Sequence, residues 1–238
     1  MEINNSGERI LLEKESPLMI ARHFCAYNFA RPYAAGKEVL DIGCGEGYGS
    51  FYLAQTAGVV TGIDYDQEVV AYAKEKYPRL NLEFLVLDVN YLGELRRKFD
   101  TICSFQNIEH IRDDRALLSN IAKLLKAGGN FICSTCNRLD ASPGKTTPSN
   151  RFHVREYLSE EFKALLSSVF PVVKVFGLKR GGRMNFYRRL KKSGVCNFLP
   201  PKMNPVKRFY RDVGTEDFVL TEKGLDTALD FIAVCRKD

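Results

Sequence analysis

The stretch Val39-Leu-Asp-Ile-Gly-Cys-Gly-Glu-Gly-Tyr-Gly49 constrains this chain more than any other. Val39–Gly43 is an apolar run of strand type, and glycines at 43, 45, 47 and 49 follow at once. Glycine lets a backbone take positive φ and approach a ligand closely. Tyr48–Ala57 then reads as a helix. A strand, a glycine turn and a helix in that order make a ligand cradle in α/β folds. The dinucleotide pattern G-x-G-x-x-G fails, because its third glycine falls on Tyr48 counting from Gly43 and on Ser50 counting from Gly45. Asp41, two residues before the turn, would repel a pyrophosphate and attract a cationic ligand.

The rest of the chain repeats the alternation. Val59–Asp64, Leu82–Leu87, Phe99–Phe105 and Asn130–Thr135 read as buried strands. Helical spacing falls between them at Gln67–Tyr77, in a short piece near Tyr91–Lys98, and at Asp113–Lys126, with Gly128-Gly129 as the stop. Strand and helix in alternation predict a parallel sheet with right-handed crossovers. Further on, Ser159 opens a helix running toward Val169, Pro171 breaks it, and Val172–Leu178 and Asp230–Cys235 read as late strands. No helix pattern stands out between those two, which suggests an antiparallel edge. Residues 1–38 read as a helical cap with Ile20, Phe24, Tyr27 and Tyr33 toward the body.

Two further acids fall at strand ends. Asp64 closes the second strand, where a carboxylate can accept from ribose hydroxyls. Asp88 closes the third, where it could accept from an adenine amino group beside the Val89 N–H. Either acid alone could be a helix N-cap, but three acids at three successive strand ends are hard to explain structurally. S-adenosylmethionine, with a sulfonium, an amino group and no phosphate, suits such a site.

With these motifs in place, the sequence resembles the class I S-adenosylmethionine-dependent methyltransferases over most of its length. VLDIGCGEGYGS matches the family's first motif, GIDYD its second-strand acid and LVLDVNYL its adenine motif. FDTICSFQNIEHI and LLKAGGNFICSTCN match the fourth- and fifth-strand segments. GERI near the start, His23 with Tyr27, and Phe152-His-Val-Arg-Glu-Tyr157 resemble a small-molecule subgroup associated with bacterial surface-glycan and quinone pathways. The chain departs from it at Ala26, where an arginine would precede Tyr27, and in a long basic insertion. The resemblance implies a doubly wound, Rossmann-like sheet of seven strands, six parallel and the last antiparallel beside the fifth. The whole chain, 1–238, would be one domain: cap 1–38, cofactor-binding core 39–136, substrate-side segment 137–238. It places Gly43, Gly45 and Gly47 along the methionine moiety with Asp41 near its amino group. Asp64 falls on the ribose, Asp88 and Val89 on the adenine, and Ser104 or Phe105 offers a backbone carbonyl. Tyr27, Gln106, Asn107, Glu156 and Tyr157 fall on the substrate side.

Methyl transfer to a hydroxyl needs alignment and a proton acceptor. The chain has three histidines. His110 and His153 are the candidate bases; each could equally be a hydrogen-bonded strut. Cys133 and Cys136 form a C-x-x-C on a strand, where i and i+3 face opposite ways. With no second pair at zinc spacing, no metal is expected. Ser104-Phe-Gln-Asn-Ile108 replaces the Asn/Asp-Pro-Pro-aromatic motif of base-methylating enzymes, which disfavours amino-group methylation of nucleic acid. Methylation of RNA or protein, and a cofactor-binding scaffold without chemistry, are the competing readings.

Hydrophobic residues make up 45% of the chain and charged residues 27%, the balance of a globular protein. The charged N-terminus lacks an apolar signal core, and seven scattered cysteines suit a reducing cytosol. The net charge of +6 is unevenly spread, since residues 179–211 hold eleven Lys or Arg and no acid. Gly181-Gly182, Pro200-Pro201 and Pro205 there predict an irregular flap. Its charge suggests an anionic acceptor, free or lipid-linked, or peripheral contact with the inner face of an anionic membrane; both rank above RNA.

Overall fold

The computed structural model describes residues 10–238. The Gly7-Glu8-Arg9 part of the GERI motif lies outside the described residues. One eight-stranded sheet organises the chain, in the order β3-β2-β1-β4-β5-β8-β6-β7. Strands β1 (Glu38–Ile42), β2 (Val59–Asp64), β3 (Leu82–Val86), β4 (Phe99–Phe105) and β5 (Leu125–Cys136) run parallel. β8 (Asp230–Arg236) inserts antiparallel between β5 and β6 (Val172–Arg180), so β6 runs with the first five. That is the arrangement the resemblance implied.

One strand is additional. β7 (Phe218–Thr221) pairs antiparallel with β6 at the sheet edge. At four residues it is too short for a period-2 signal to stand out. The expected irregular flap is also corrected, because it is largely helical: α7 (Gly182–Ser193) and α8 (Pro205–Arg211). Gly181 and Gly182 sit at the start of α7, and Pro205 is the first residue of α8, whose Asn204 cap accepts from Val206 N and Lys207 N. Glycine and proline punctuate these helices at their ends, where both residues are tolerated.

Strand parity assigns the faces. A one-turn helix, α5 (Arg138–Ala141), follows β5; Leu40, Ile42, Ile102 and Phe131 face α4 (Asp114–Leu124) and α6 (Ser159–Ser167) in the largest apolar cluster. Val39, Val60, Cys103 and Ile132 face α1 (Pro17–Ala34) and α2 (Tyr48–Ala54) on the other side. α1 docks closely because Gly49 has no side chain; a Cβ there would lie 1.9 Å from the Tyr27 ring. Phe24, Tyr27 and Tyr33 pack into that face as expected. Ser16 caps α1 and Pro17 occupies its first turn. α3 (Gln67–Lys76) starts on Asp66, which accepts from Glu68 N and Val69 N.

Candidate active site

A cavity of about 550 Å³ opens beyond the C-terminal ends of β1–β5, at the point where the strand order reverses between β1 and β4. That volume is within the roughly 300–1,000 Å³ of small-molecule sites.

The glycine turn divides into three roles. Gly43 lines the cavity at φ +72, and a Cβ there would meet the Asn107 carboxamide at 3.1 Å. Gly45 lines it at φ +53 with nothing within 4 Å of a Cβ, so this is the open part of the cradle. Gly47 does not line the cavity; at φ +90 its Cβ would lie 2.7 Å from the Phe84 ring. Its glycine is required for packing against β3, not for a ligand beside it.

Asp64 lines the cavity, and its carboxylate accepts from Gly45 N at 3.0 Å and Asp66 N at 3.1 Å. The second-strand acid thus braces the glycine turn as well as facing the ligand space. Asp88 and Val89 line the same side. Asp88 also caps a 3-10 turn, accepting from Asn90 N at 2.8 Å, so its capping and lining roles coexist. Asp41 does not line the cavity. It shares the Val39 face of β1, fully buried, and accepts from Ser50 Oγ at 2.6 Å and Tyr27 Oη at 3.3 Å. Its Oδ1 has no partner among the described residues, and burial pushes the carboxyl up to about 7. It meets the cavity through Tyr27, which does line it.

Past β4, Phe105 lines the cavity while Ser104 is buried beneath it, accepting from Asn107 Nδ2 at 3.1 Å. Gln106 has φ +48, a left-handed conformation rare outside glycine, held by Ser134. Stored strain of this kind clusters at functional sites. Gln106 and Asn107 both line the cavity.

The opposite wall is built by the 3-10 turn Ile108–His110 and the loop 150–156. Glu109 O accepts from Val154 N and Arg155 N, and His110 Nδ1 donates to Phe152 O at 3.0 Å. The His110 and His153 rings meet edge to face at 4.9 Å. His153 Nδ1 lies 2.8 Å from Glu156 Oε1, and its Nε2 lies 3.0 Å from Asn150 Nδ2. A neutral imidazole satisfies both bonds only with the proton on Nδ1, which leaves Nε2 as the basic nitrogen. Glu156 Oε2 and Glu109 Oε1 are buried with no hydrogen-bond partner among the described residues. Burial pushes Glu109 up to about 8. Tyr157, expected on the substrate side, is instead fully buried and donates to Asp114 at 3.0 Å. Cys133 lies in the core and Cys136 on the cavity rim.

Among the cavity residues that sequence reasoning missed are Arg22, Asn150 and Glu109. Arg22 lines the cavity and pairs with Asp230, 208 positions away, a separation that no local pattern carries. Asn150 and Glu109 were passed over because each sits beside a more conspicuous histidine motif.

Comparison with known proteins agrees with this geometry. A family profile described as "Methyltransferase domain" matches residues 34–178. A Mycolicibacterium smegmatis protein named "Probable S-adenosylmethionine-dependent methyltransferase" is 33% identical over 247 residues, covering 96% of this chain and 93% of that one. The chain belongs to the S-adenosylmethionine-dependent methyltransferases. A "Ubiquinone biosynthesis O-methyltransferase" of Coxiella burnetii is 36% identical over 105 residues, 43% of this chain and 45% of that one. The solved structure of the N-methyltransferase NodS of Bradyrhizobium japonicum, with S-adenosyl-L-homocysteine, shares the fold at a TM-score of 0.59 and 14% identity, covering 94% of this chain and 89% of that one. The methyltransferase's cofactor is therefore S-adenosylmethionine. The open cradle at Gly45 and the acids around it fit a ligand bearing positive charge and hydroxyl donors. Among the described residues no helix is long and apolar enough to cross a membrane.

Proposed function

We propose that this methyltransferase O-methylates a hydroxyl of a small, hydroxyl-rich acceptor of the glycan type, free or lipid-linked. The observation that carries the reading is the His153–Glu156 pair, 2.8 Å apart in the cavity wall. A carboxylate on Nδ1 fixes the tautomer and stabilises the imidazolium that forms when Nε2 takes a proton. Asn150 Nδ2 marks the place from which an acceptor hydroxyl would donate to Nε2.

On the other side, Gly43, Gly45, Asp64, Asp88 and Val89 would hold the cofactor. The chemistry supplied there is an electrophilic methyl group on a sulfonium, itself a good leaving group. The chain's own task is alignment and proton removal, and Gln106 and Asn107, which line the cavity, are the groups that would orient the acceptor. The cavity wall also holds Asn150, Asp140 and the buried carboxyl groups of Glu109 and Glu156. Hydrogen-bonding groups in this number suit a polyhydroxylated molecule better than the flat ring of a quinone, the alternative suggested by the Coxiella burnetii relative. All seven cysteines are free and buried, as suits a cytosolic enzyme.

The test is incubation of extracts from a strain lacking the gene with the purified enzyme and methyl-labelled cofactor. Label on an ether oxygen of a saccharide supports the reading, whereas label confined to RNA, protein or an amine overturns it. His153→Ala should lower turnover about 10²–10⁴-fold, the usual worth of a general base. Its S-adenosylhomocysteine affinity should be unchanged by calorimetry.

A further inference from the structure

The α7–α8 unit is built firmly on its inner side. Met184, Phe209 and Val213 are buried against Ala21 and Cys25 of α1. Tyr187 stacks on Phe209 at 4.4 Å, and Asn204 donates to Cys196 O at 2.6 Å, fixing the turn between the helices. The outer side is different. Phe186, Val195, Phe198 and Met203 are 60%, 58%, 80% and 70% exposed. Of the eleven cations in this segment, Arg180, Arg183 and Arg211 meet acids, and Lys179 donates to a backbone carbonyl. Arg188, Arg189, Lys191, Lys192, Lys202, Lys207 and Arg208 are exposed and pair with no acid among the described residues.

We propose that this face is a docking surface for an anionic lipid bilayer. The unpaired cations supply the attraction, and Val195, Phe198 and Met203 enter the headgroup–acyl boundary. A merely solvated basic face has no use for large apolar side chains held out on a fixed turn. The combination of the two is what an interfacial membrane contact requires. A single-stranded RNA would use aromatic stacking with the phosphate contacts, and neither Val195 nor Met203 can stack. The position is also apt: α1 packs on this unit with Ala21 and Cys25, while its Met19, Arg22 and His23 line the cavity. The inference stands whether or not the acceptor is a glycan.

The chain has no tryptophan, so Phe198→Trp creates a single fluorescent reporter in the full-length protein. Vesicles of phosphatidylglycerol and phosphatidylcholine should blue-shift its emission and co-sediment it. Pure phosphatidylcholine vesicles should do neither. The binding should fall steeply between low and physiological salt, where charges are screened beyond about 8 Å. Arg188→Glu with Lys192→Glu should lower partitioning by about ten-fold or more. Met203→Ser should lower it at unchanged salt dependence. Retained S-adenosylhomocysteine binding and far-UV circular dichroism show that each variant is folded. No emission shift on anionic vesicles overturns the proposal. So does a shift produced by a single-stranded RNA oligonucleotide and not by vesicles, which would assign the face to nucleic acid.

Discussion

Arg22 on α1 holds Asp230 on β8 through two hydrogen bonds of 2.5 Å, from Nε and Nη2, and adds a third to Leu229 O at 3.0 Å. The Asp230 side chain is 4% exposed. Removing one partner of such a pair leaves a buried charge, at a cost of about 3–5 kcal/mol. Arg22→Ala should lose stability on that scale in urea unfolding. Arg22→Lys, with the charge but not the planar fork, should fall between the two. Equal stability of Arg22→Ala and wild type would show that the clamp contributes nothing.

Gly45 and Gly47 should respond differently to alanine. Gly45→Ala meets open space, so its stability loss is the left-handed backbone term alone, about 1–2 kcal/mol, and its main effect should be weaker S-adenosylhomocysteine binding. Gly47→Ala also drives a methyl into Phe84 and Ala73. Overpacking adds about 1–3 kcal/mol, and the folded fraction should still bind. Thermal unfolding and calorimetry on the two variants separate the outcomes.

Asp64→Ala removes the acceptor for Gly45 N and a carboxylate that lines the cavity. S-adenosylhomocysteine affinity should fall by about 1–3 kcal/mol, the cost of stranding hydrogen-bonding groups. An unchanged Kd would remove this acid from the cofactor site.

Stability should decline from pH 6.5 to 8. Burial raises Asp41 to about 7 and Glu109 to about 8. Near neutrality both still hold protons that the unfolded chain has released. Their contribution is complete at acid pH below the unfolded values and is lost as pH rises through the folded ones, by at most about 1.4 kcal/mol per pH unit for each group. Desolvation lowers His23 to about 4, which has the opposite slope, but that slope ends near its ordinary value of 6.5. Glu109→Gln should flatten the decline between pH 7 and 8 in urea unfolding. A wild-type profile that is flat over this range would contradict it.

Most of the sheet was legible because β1–β4 and the C-terminal part of β5 are short apolar runs, and the ends of β2 and β3 place Asp64 and Asp88 at the cavity; Leu125–Gly129, which reads as a helix end and its glycine stop, instead belongs to β5. Asp41 was read by position along the chain, whereas strand parity turns it toward α1 and α2. Tyr157 followed His153 and Glu156 into the substrate-side set, yet its ring enters the core against Phe162. The helices α7 and α8 were hidden because their inner faces bury few residues each and their glycine and prolines, which mark helix ends, resemble those of a loop. The Arg22–Asp230 pair and the His110–Phe152 bond depend on the closed tertiary structure and leave no trace in a local window.

The place of β8 has a consequence for biosynthesis. It is made after β5, β6 and β7, yet it lies between β5 and β6 and pairs with both. While it is still being translated, β5 and β6 have unpaired edges, and β6–β7 has no route into the sheet. Strands β1–β5, with every residue that lines the cavity, can assemble as they leave the ribosome, but the β6–β7 pair waits for a late strand to join it to β5. Exposed strand edges invite pairing with other chains during that wait. Slow translation of the segment before β8, or a chaperone that covers the β5 edge, would therefore bear on the yield of folded enzyme.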